Sequence, residues 1–235
     1  MYGYHGRILH VNLTNGQTHI ETFDETFAQT YLGGNGFAIR LLYERLVPGI
    51  DPLAPDNMLV FAVGPATDTP IPGATRCFVG TKSPLTGFFF DSTFGGMFAA
   101  MQKRAGFEAI TITGRAPQPV YLLVHEHGAE INAATDLWGQ YTRETNHTIR
   151  DREPGEVEVL SIGPDADKYL YAVKGLEMPA HSARVLKGMC LGYATATRGG
   201  SHQDTRPTLQ YATDHDNTTP AEDSRCVDYA HEEHL

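Results

Sequence analysis

An α+β fold of two packed β-sheets with a few helices is predicted by three features: six short strand-like runs, two segments of clear helical period, and no regular alternation between them. The runs are MLVFAV (58–63), RCFVGTK (76–82), TGFFFDS (86–92), AITITG (109–114), PVYLLVH (119–125) and VEVLSIG (157–163), separated by Pro or Gly turns. Their β-branched and aromatic residues favour extended backbone.

Ahead of them, RILHVNL (7–13) places Leu9, Val11 and Leu13 on one face. Asn15-Gly16 then separates it from a second extended run, QTHIETF (17–23), which is a hairpin signal. From Gly33-Gly34-Asn35-Gly36 the period changes. Phe37, Leu41 and Leu42, with Ala38 and Leu46, form a helical stripe that Pro48-Gly49 ends, so the first helix is predicted over about 36–47.

Composition limits the function classes. With 41% hydrophobic and 10% aromatic residues in 235, the chain can supply a real core. No run approaches the roughly 18–20 apolar residues needed to cross a bilayer, and MYGYHGRILH lacks the apolar centre of a secretory signal, so a cytoplasmic protein without membrane contact is expected. A formal charge of −10 argues against nucleic-acid binding, which needs a basic face. Cys77, Cys190 and Cys226 are too scattered for a disulfide framework or a CxxC metal site, and read as core residues or free thiols.

The most informative stretch is Thr75 to Gly106, TRCFVGTKSPLTGFFFDSTFGGMFAAMQKRAG. It reads as a strand entered at Arg76, an aromatic strand ending in Asp91-Ser92-Thr93, and a helix opened by Gly95-Gly96 and stopped by Gly106. A glycine pair at a strand-to-helix junction lets backbone N–H groups and the positive end of a helix dipole approach an anion. The same pair also marks plain tight turns.

Taken in order, MYGYHGRILHVNLTNGQTH, YLGGNGFAIRLLYERL, GPATDTPIPGATRCFVGTKSPLTG, DSTFGGMFAAMQKRAGFEAITITGRA, PVYLLV, DLWGQYTRET and IGPDAD resemble the aldehyde:ferredoxin oxidoreductase family of tungsten-pterin enzymes. This resemblance covers residues 1–168 and implies a two-sheet N-terminal domain on which the pterin lies. A second stretch, VKGLEMPAHSARVLKGMCLGYATATRGGSH, is similar to part of the family's later helical domains and falls within 169–211. Residues 212–235, polar and acidic, read as a disordered tail. The family sequence between the two matches, including its second pterin loop and the cysteines of its [4Fe–4S] cluster, has no counterpart here.

The resemblance assigns roles residue by residue. Arg76 matches an arginine at the pterin phosphates, a task suited to the guanidinium fork; a plain sheet-edge arginine is the alternative. Thr93 stands where the family commonly has an asparagine that helps bind the Mg²⁺ bridging those phosphates, and offers a hydroxyl oxygen instead. Gly95 and Gly96 would let the backbone meet the cofactor. By the resemblance His202, in RGGSH, matches a histidine near the tungsten, where an imidazole exchanges protons near neutral pH; outside its family scaffold the reading as an exposed loop residue is the favoured one. His125, His127, His231 and His234 have no ligand spacing and read as strand-edge and tail residues.

The function implied is oxidation of an aldehyde to a carboxylate by tungstopterin, or its molybdenum counterpart, with ferredoxin as electron acceptor. A non-catalytic pterin- or anion-binding remnant is the alternative, because a cluster of this type takes four thiolates and this sequence has three cysteines.

Overall fold

The computed structural model describes residues 2–161; the predicted second segment, the tail and His202 lie outside them. Eight strands form two sheets. The larger is mixed and six-stranded, in the order β2-β1-β6-β3-β4-β5. Its members are β1 (Arg7–Asn12), β2 (Gln17–Thr22), β3 (Leu59–Val63), β4 (Cys77–Lys82), β5 (Phe89–Phe94) and β6 (Ala109–Thr113), and the smaller sheet pairs β7 (Val120–His125) with β8 (Gly128–Ala133).

Two periodicities place the core. Leu9, Val11, Phe61, Val63, Cys77, Val79, Phe94 and Ile110 alternate onto one face of the large sheet, where Leu122, Val124, Ala129 and Ile131 of the small sheet pack against them. Ile8, Val60, Ala62 and Ala109 point to the other face and meet Phe37, Ala38, Leu41 and Leu42 of helix α2 (Asn35–Arg45). The α+β architecture of two packed sheets follows directly.

Helix α2 comes as close as it does because its entry is glycine. At Gly34 φ is +53°, and a Cβ there would stand 2.7 Å from the Phe78 ring. No other residue satisfies both constraints.

Three elements depart from the sequence reading. Helix α1 (Glu25–Tyr31) is unpredicted, although Asp24 caps it by accepting from the Phe27 N–H at 2.8 Å. Its packing comes from a ring cluster, with Phe27 5.3 Å from Phe23 and 5.0 Å from Phe37. Helix α4 (Thr142–Arg152) buries only Thr145 and Ile149, too thin a stripe to show as a period. Strand β8, sequence GAEINA, has poor β propensity and exists because the Glu126-His127 turn folds it back on β7. Conversely, residues 157–161, the described part of VEVLSIG, form no strand.

The buried ionic centre joins distant parts. Glu108, fully buried, accepts from the Lys103 ammonium at 3.0 Å, the His5 N–H at 2.7 Å and the Arg7 N–H at 3.2 Å. Lys103 also donates to the Gly3 carbonyl at 2.7 Å and lies 5.5 Å from the Tyr4 ring centre. Truncating one partner strands the other charge, so Lys103→Met should destabilise the fold by about 3 kcal/mol, read by urea unfolding. An unchanged midpoint would show that the pair is not structural.

A second polar cluster lies on the α2 face. His10 contacts the Thr111 hydroxyl through Nδ1 at 2.7 Å and the Glu21 carboxylate through Nε2 at 2.8 Å, and Arg45 pairs with the same carboxylate. Burial first, then Arg45, lower the His10 pKa below 6.5, outweighing the opposing pull of Glu21. The unfolded chain therefore binds the proton more readily, and stability is lost as pH falls below 6.5 toward the folded value. Thermal melts of His10→Gln should show a shallower loss across that acid window than the parent; parallel pH profiles would contradict this origin.

Candidate functional site

The anion-site reading rests on how the β4–β5 ladder ends. Its register pairs Phe78 with Thr93 and Cys77 with Phe94. One step further on, Arg76 and Gly95 leave the ladder at the same end. Antiparallel pairing thus brings together residues that stand 19 apart in the chain.

Arg76 is delivered by the loop from Gly64 to Thr75, which is held at defined points. The Thr67 hydroxyl accepts from the Gly64 N–H at 3.1 Å. Arg104, at the end of helix α3 (Phe98–Arg104), grips both oxygens of Asp68 at 2.9 Å. That two-pronged bond keeps the Asp68 carboxyl below its ordinary pKa. Arg76 itself is half-buried.

Thr93 lies on the α2 face of β5, two residues from Asp91 and so on the same side. Asp91 accepts from the Asn35 amide at 2.8 Å. The Asn35 Oδ1 is shielded from solvent and has no partner. Thr93 and Asp91 therefore offer hard oxygen donors of the kind Mg²⁺ takes, beside the start of α2. Among the described residues there is no group of three or more His, Cys, Asp or Glu able to hold a metal, so an ion here would need the ligand's own oxygens.

The glycine pair departs from the predicted geometry. Helix α3 begins at Phe98, not at Gly95-Gly96, and runs only seven residues; the pair is a turn before it. The expected helix-dipole contribution is accordingly weak, and backbone access remains. A Cβ at Gly95 or Gly96 would meet nothing within 4 Å. Gly96 has φ +92°, whereas Gly95 is outside the left-handed region. The open backbone at both positions, beside Arg76 and the Thr93 hydroxyl, fits the phosphate end of a cofactor.

Asp91 and Asn35 are the residues that the sequence does not single out for the site. The two-residue strand period links Asp91 to Thr93, but Asn35 is 56 positions from its partner and only the fold joins them. Cys77 is excluded from ligation: it is buried in the core, and burial pushes its thiol pKa far up. An apolar cavity of about 780 Å³, lined by Phe61, Phe98, Leu122, Leu137 and Leu160 among others, opens between α3 and the small sheet. It belongs to the sheet face opposite Thr93.

The glycines make separable predictions. Gly95→Ala should leave stability within about 0.5 kcal/mol of the parent, as nothing is displaced. Gly96→Ala should cost about 1–2 kcal/mol from its positive φ. A larger urea-midpoint loss for Gly95→Ala than for Gly96→Ala would contradict the turn geometry.

The sequence has recognisable relatives among known proteins. Residues 8–193 match the family described as aldehyde ferredoxin oxidoreductase, N-terminal domain, and residues 157–234 match its domains 2 and 3. A tungsten-containing aldehyde ferredoxin oxidoreductase of Pyrococcus abyssi is 41% identical over 202 residues, 85% of this chain and 31% of the relative. Its counterpart in Pyrococcus furiosus is 44% identical over 165 residues, 70% of this chain and 27% of the relative. Among solved structures, the active-site complex BamBC of benzoyl coenzyme A reductase, bound to 1,5-dienoyl-CoA, aligns with TM-score 0.70 and 31% identity over 80% of this chain and 30% of its own. The chain spans less than a third of the length of these curated relatives.

Proposed function

Because this chain belongs to the aldehyde ferredoxin oxidoreductase family, we propose that residues 1–168 serve aldehyde oxidation to a carboxylate as the base beneath a tungsten-pterin cofactor in the cytoplasm. The carrying observation is the polar ledge at one end of β4–β5, where backbone open at Gly95 and Gly96 adjoins Arg76 and Thr93. When bound, the tungstopterin supplies the two-electron chemistry, with ferredoxin as electron acceptor. Arg76 would hold a pterin phosphate through its guanidinium fork, with the open Gly95 and Gly96 backbone beside it. Thr93, with Asp91 beside it, would supply oxygen donors to Mg²⁺. His202, in the proposed segment 169–211, moves a proton at the substrate.

A second reading has its own observation. Cys77 is one of only three cysteines in the sequence and is sealed in the core, so this chain lacks the four thiolates of a [4Fe–4S] site. On that reading the domain binds pterin without passing electrons onward.

Expression of the full chain in a host that makes tungstopterin tests both. Arg76→Ala should weaken pterin binding by about 1.5–3 kcal/mol, roughly 10- to 100-fold, measured from the dissociation constant of the released cofactor. Unchanged affinity would remove Arg76 from the site. Aldehyde-dependent dye reduction abolished by His202→Ala would select the oxidoreductase, whereas bound pterin without turnover would select the non-catalytic base.

A further inference from the structure

Two glycines set helix α2 against β4. Gly34, Ala38 and Leu42 form one row of the helix, each four residues from the last. A Cβ at Gly34 would stand 2.7 Å from the Phe78 ring, and one at Gly80 would stand 3.0 Å from the Ala38 Cβ and 3.6 Å from the Leu42 Cδ1. With a side chain missing at each point of contact, the row lies directly on β4. Asn35 heads the next row and reaches beyond β4, donating from Nδ2 to the Asp91 Oδ2 at 2.8 Å. Asp91 is the ladder partner of Gly80, so the glycine that admits the helix also brings the amide to this carboxylate.

The amide is held in one sense. Turned about, its carbonyl would face the carboxylate and set two acceptors together. The donor therefore takes Asp91, and Oδ1 is left shielded from solvent with no partner among the described residues. A shielded acceptor without a donor is unfavourable. Leucine, of similar size, would strand nothing, so fold stability does not account for an amide at this position.

Asp91 carries an unmatched charge. Its hydrogen bond comes from a neutral amide, Gly80 opposite it has no side chain, and no ion pair holds it among the described residues. Thr93 stands one strand period away, roughly 7 Å along β5, and Arg76 and Gly95 lie just past the end of the same ladder. A phosphate on Arg76 would thus share this end of the sheet with a carboxylate. Two anions so placed repel each other, and a divalent cation between them turns the repulsion into attraction. Mg²⁺ keeps several of its waters, which lets Asp91 reach it from that spacing directly or through one of them.

We propose that Asn35 is a positioning residue for a phosphate-bound divalent cation, acting through Asp91. The proposal rests on the reading of Arg76 as the phosphate-binding residue, and adds to that site a residue from another element. A carboxylate is planar, so holding Oδ2 on the Asn35 amide fixes where Oδ1 lies. Asp91 is itself exposed, and without the amide its side chain turns among several rotamers. The role is conditional on the cation. Without one, Asp91 opposes a phosphate however it is turned; with one, its orientation decides how well the cation is held.

Titration calorimetry of the full chain with inorganic pyrophosphate, with and without Mg²⁺, reads this. Mg²⁺ should tighten binding to the parent by about tenfold, the lower end of what the groups supporting a metal site contribute. Asp91→Asn should abolish that gain and leave metal-free binding as tight or tighter. Asn35→Leu should reduce the gain by roughly threefold or more, while metal-free affinity moves by less than about twofold. Capture of Mg²⁺ by free pyrophosphate is common to all three proteins and cancels in their ratios. Mn²⁺, which takes the same oxygen donors, gives a second readout: the electron paramagnetic resonance spectrum of its ternary complex should differ between the parent and Asn35→Leu. Asn35→Leu that weakens binding equally with and without Mg²⁺, or not at all, would overturn the proposal, as would a full Mg²⁺ gain in Asp91→Asn or no gain in the parent. Arg76→Ala keeps the two readings apart, because pyrophosphate binding that ignores it removes the phosphate assignment of Arg76 and leaves the variants at 35 and 91 to decide the cation.

Discussion

The buried pair of Lys103 and Glu108 is the constraint from which the rest of the domain is arranged. Two ions out of water are stabilising only when nearly every donor and acceptor is matched, and here the matching groups come from distant segments. The carboxylate gathers the His5 and Arg7 N–H groups as well as the ammonium, and the ammonium reaches the Gly3 carbonyl. This fixes the start of β1 to the start of β6, a parallel pairing across about a hundred residues that no local hairpin could nucleate. It also fixes the end of α3. Its next residue, Arg104, holds Asp68, and Asp68 lies in the loop that brings Arg76 to β4. The geometry of the ledge thus depends on a charge pair on the far side of α3.

Most strands were legible because each carries its own apolar or β-branched run. MLVFAV shows this well, as all five residues of β3 are buried, and AITITG gives β6, whose first three residues are. Where an element is stabilised from elsewhere, local pattern is silent. GAEINA becomes β8 only by pairing with β7, and the α4 residues TRETNHTIRDR need Ile149 alone to dock. The opposite error arises at 157–161, where VEVLS has the composition of a strand but no neighbouring edge is ladder-paired to it among the described residues. Propensity proposes extended backbone; a partner makes it a strand.

The site divides in the same way. Arg76, Thr93 and the glycine pair were marked by spacing and by resemblance, and the β4–β5 register explains how the first three positions converge on one end of a ladder. The helix expected at Gly95 was misplaced because a glycine pair signals a change of direction without specifying whether the helix starts at once. Here φ of +92° at Gly96 turns the chain first, and the helix waits for Phe98. Asn35 was invisible as a site residue, since its sequence role is to open α2 beside two glycines. Only the closeness that Gly34 permits between α2 and Phe78 carries its amide to Asp91.

Strand β5 carries the ledge at one end and exposed aromatic residues at the other. Its Phe94 is locked in the core, while among the described residues Phe89 and Phe90 pair with β4 alone and Phe88 is exposed, so one end of the strand is anchored and the other is held only by β4. Thr93 takes its orientation from both. A ligand at Thr93 and Gly95 would therefore meet a strand that the core fixes at its own end and that β4 alone holds at the other, so the ordering it must supply falls on the far end of β5.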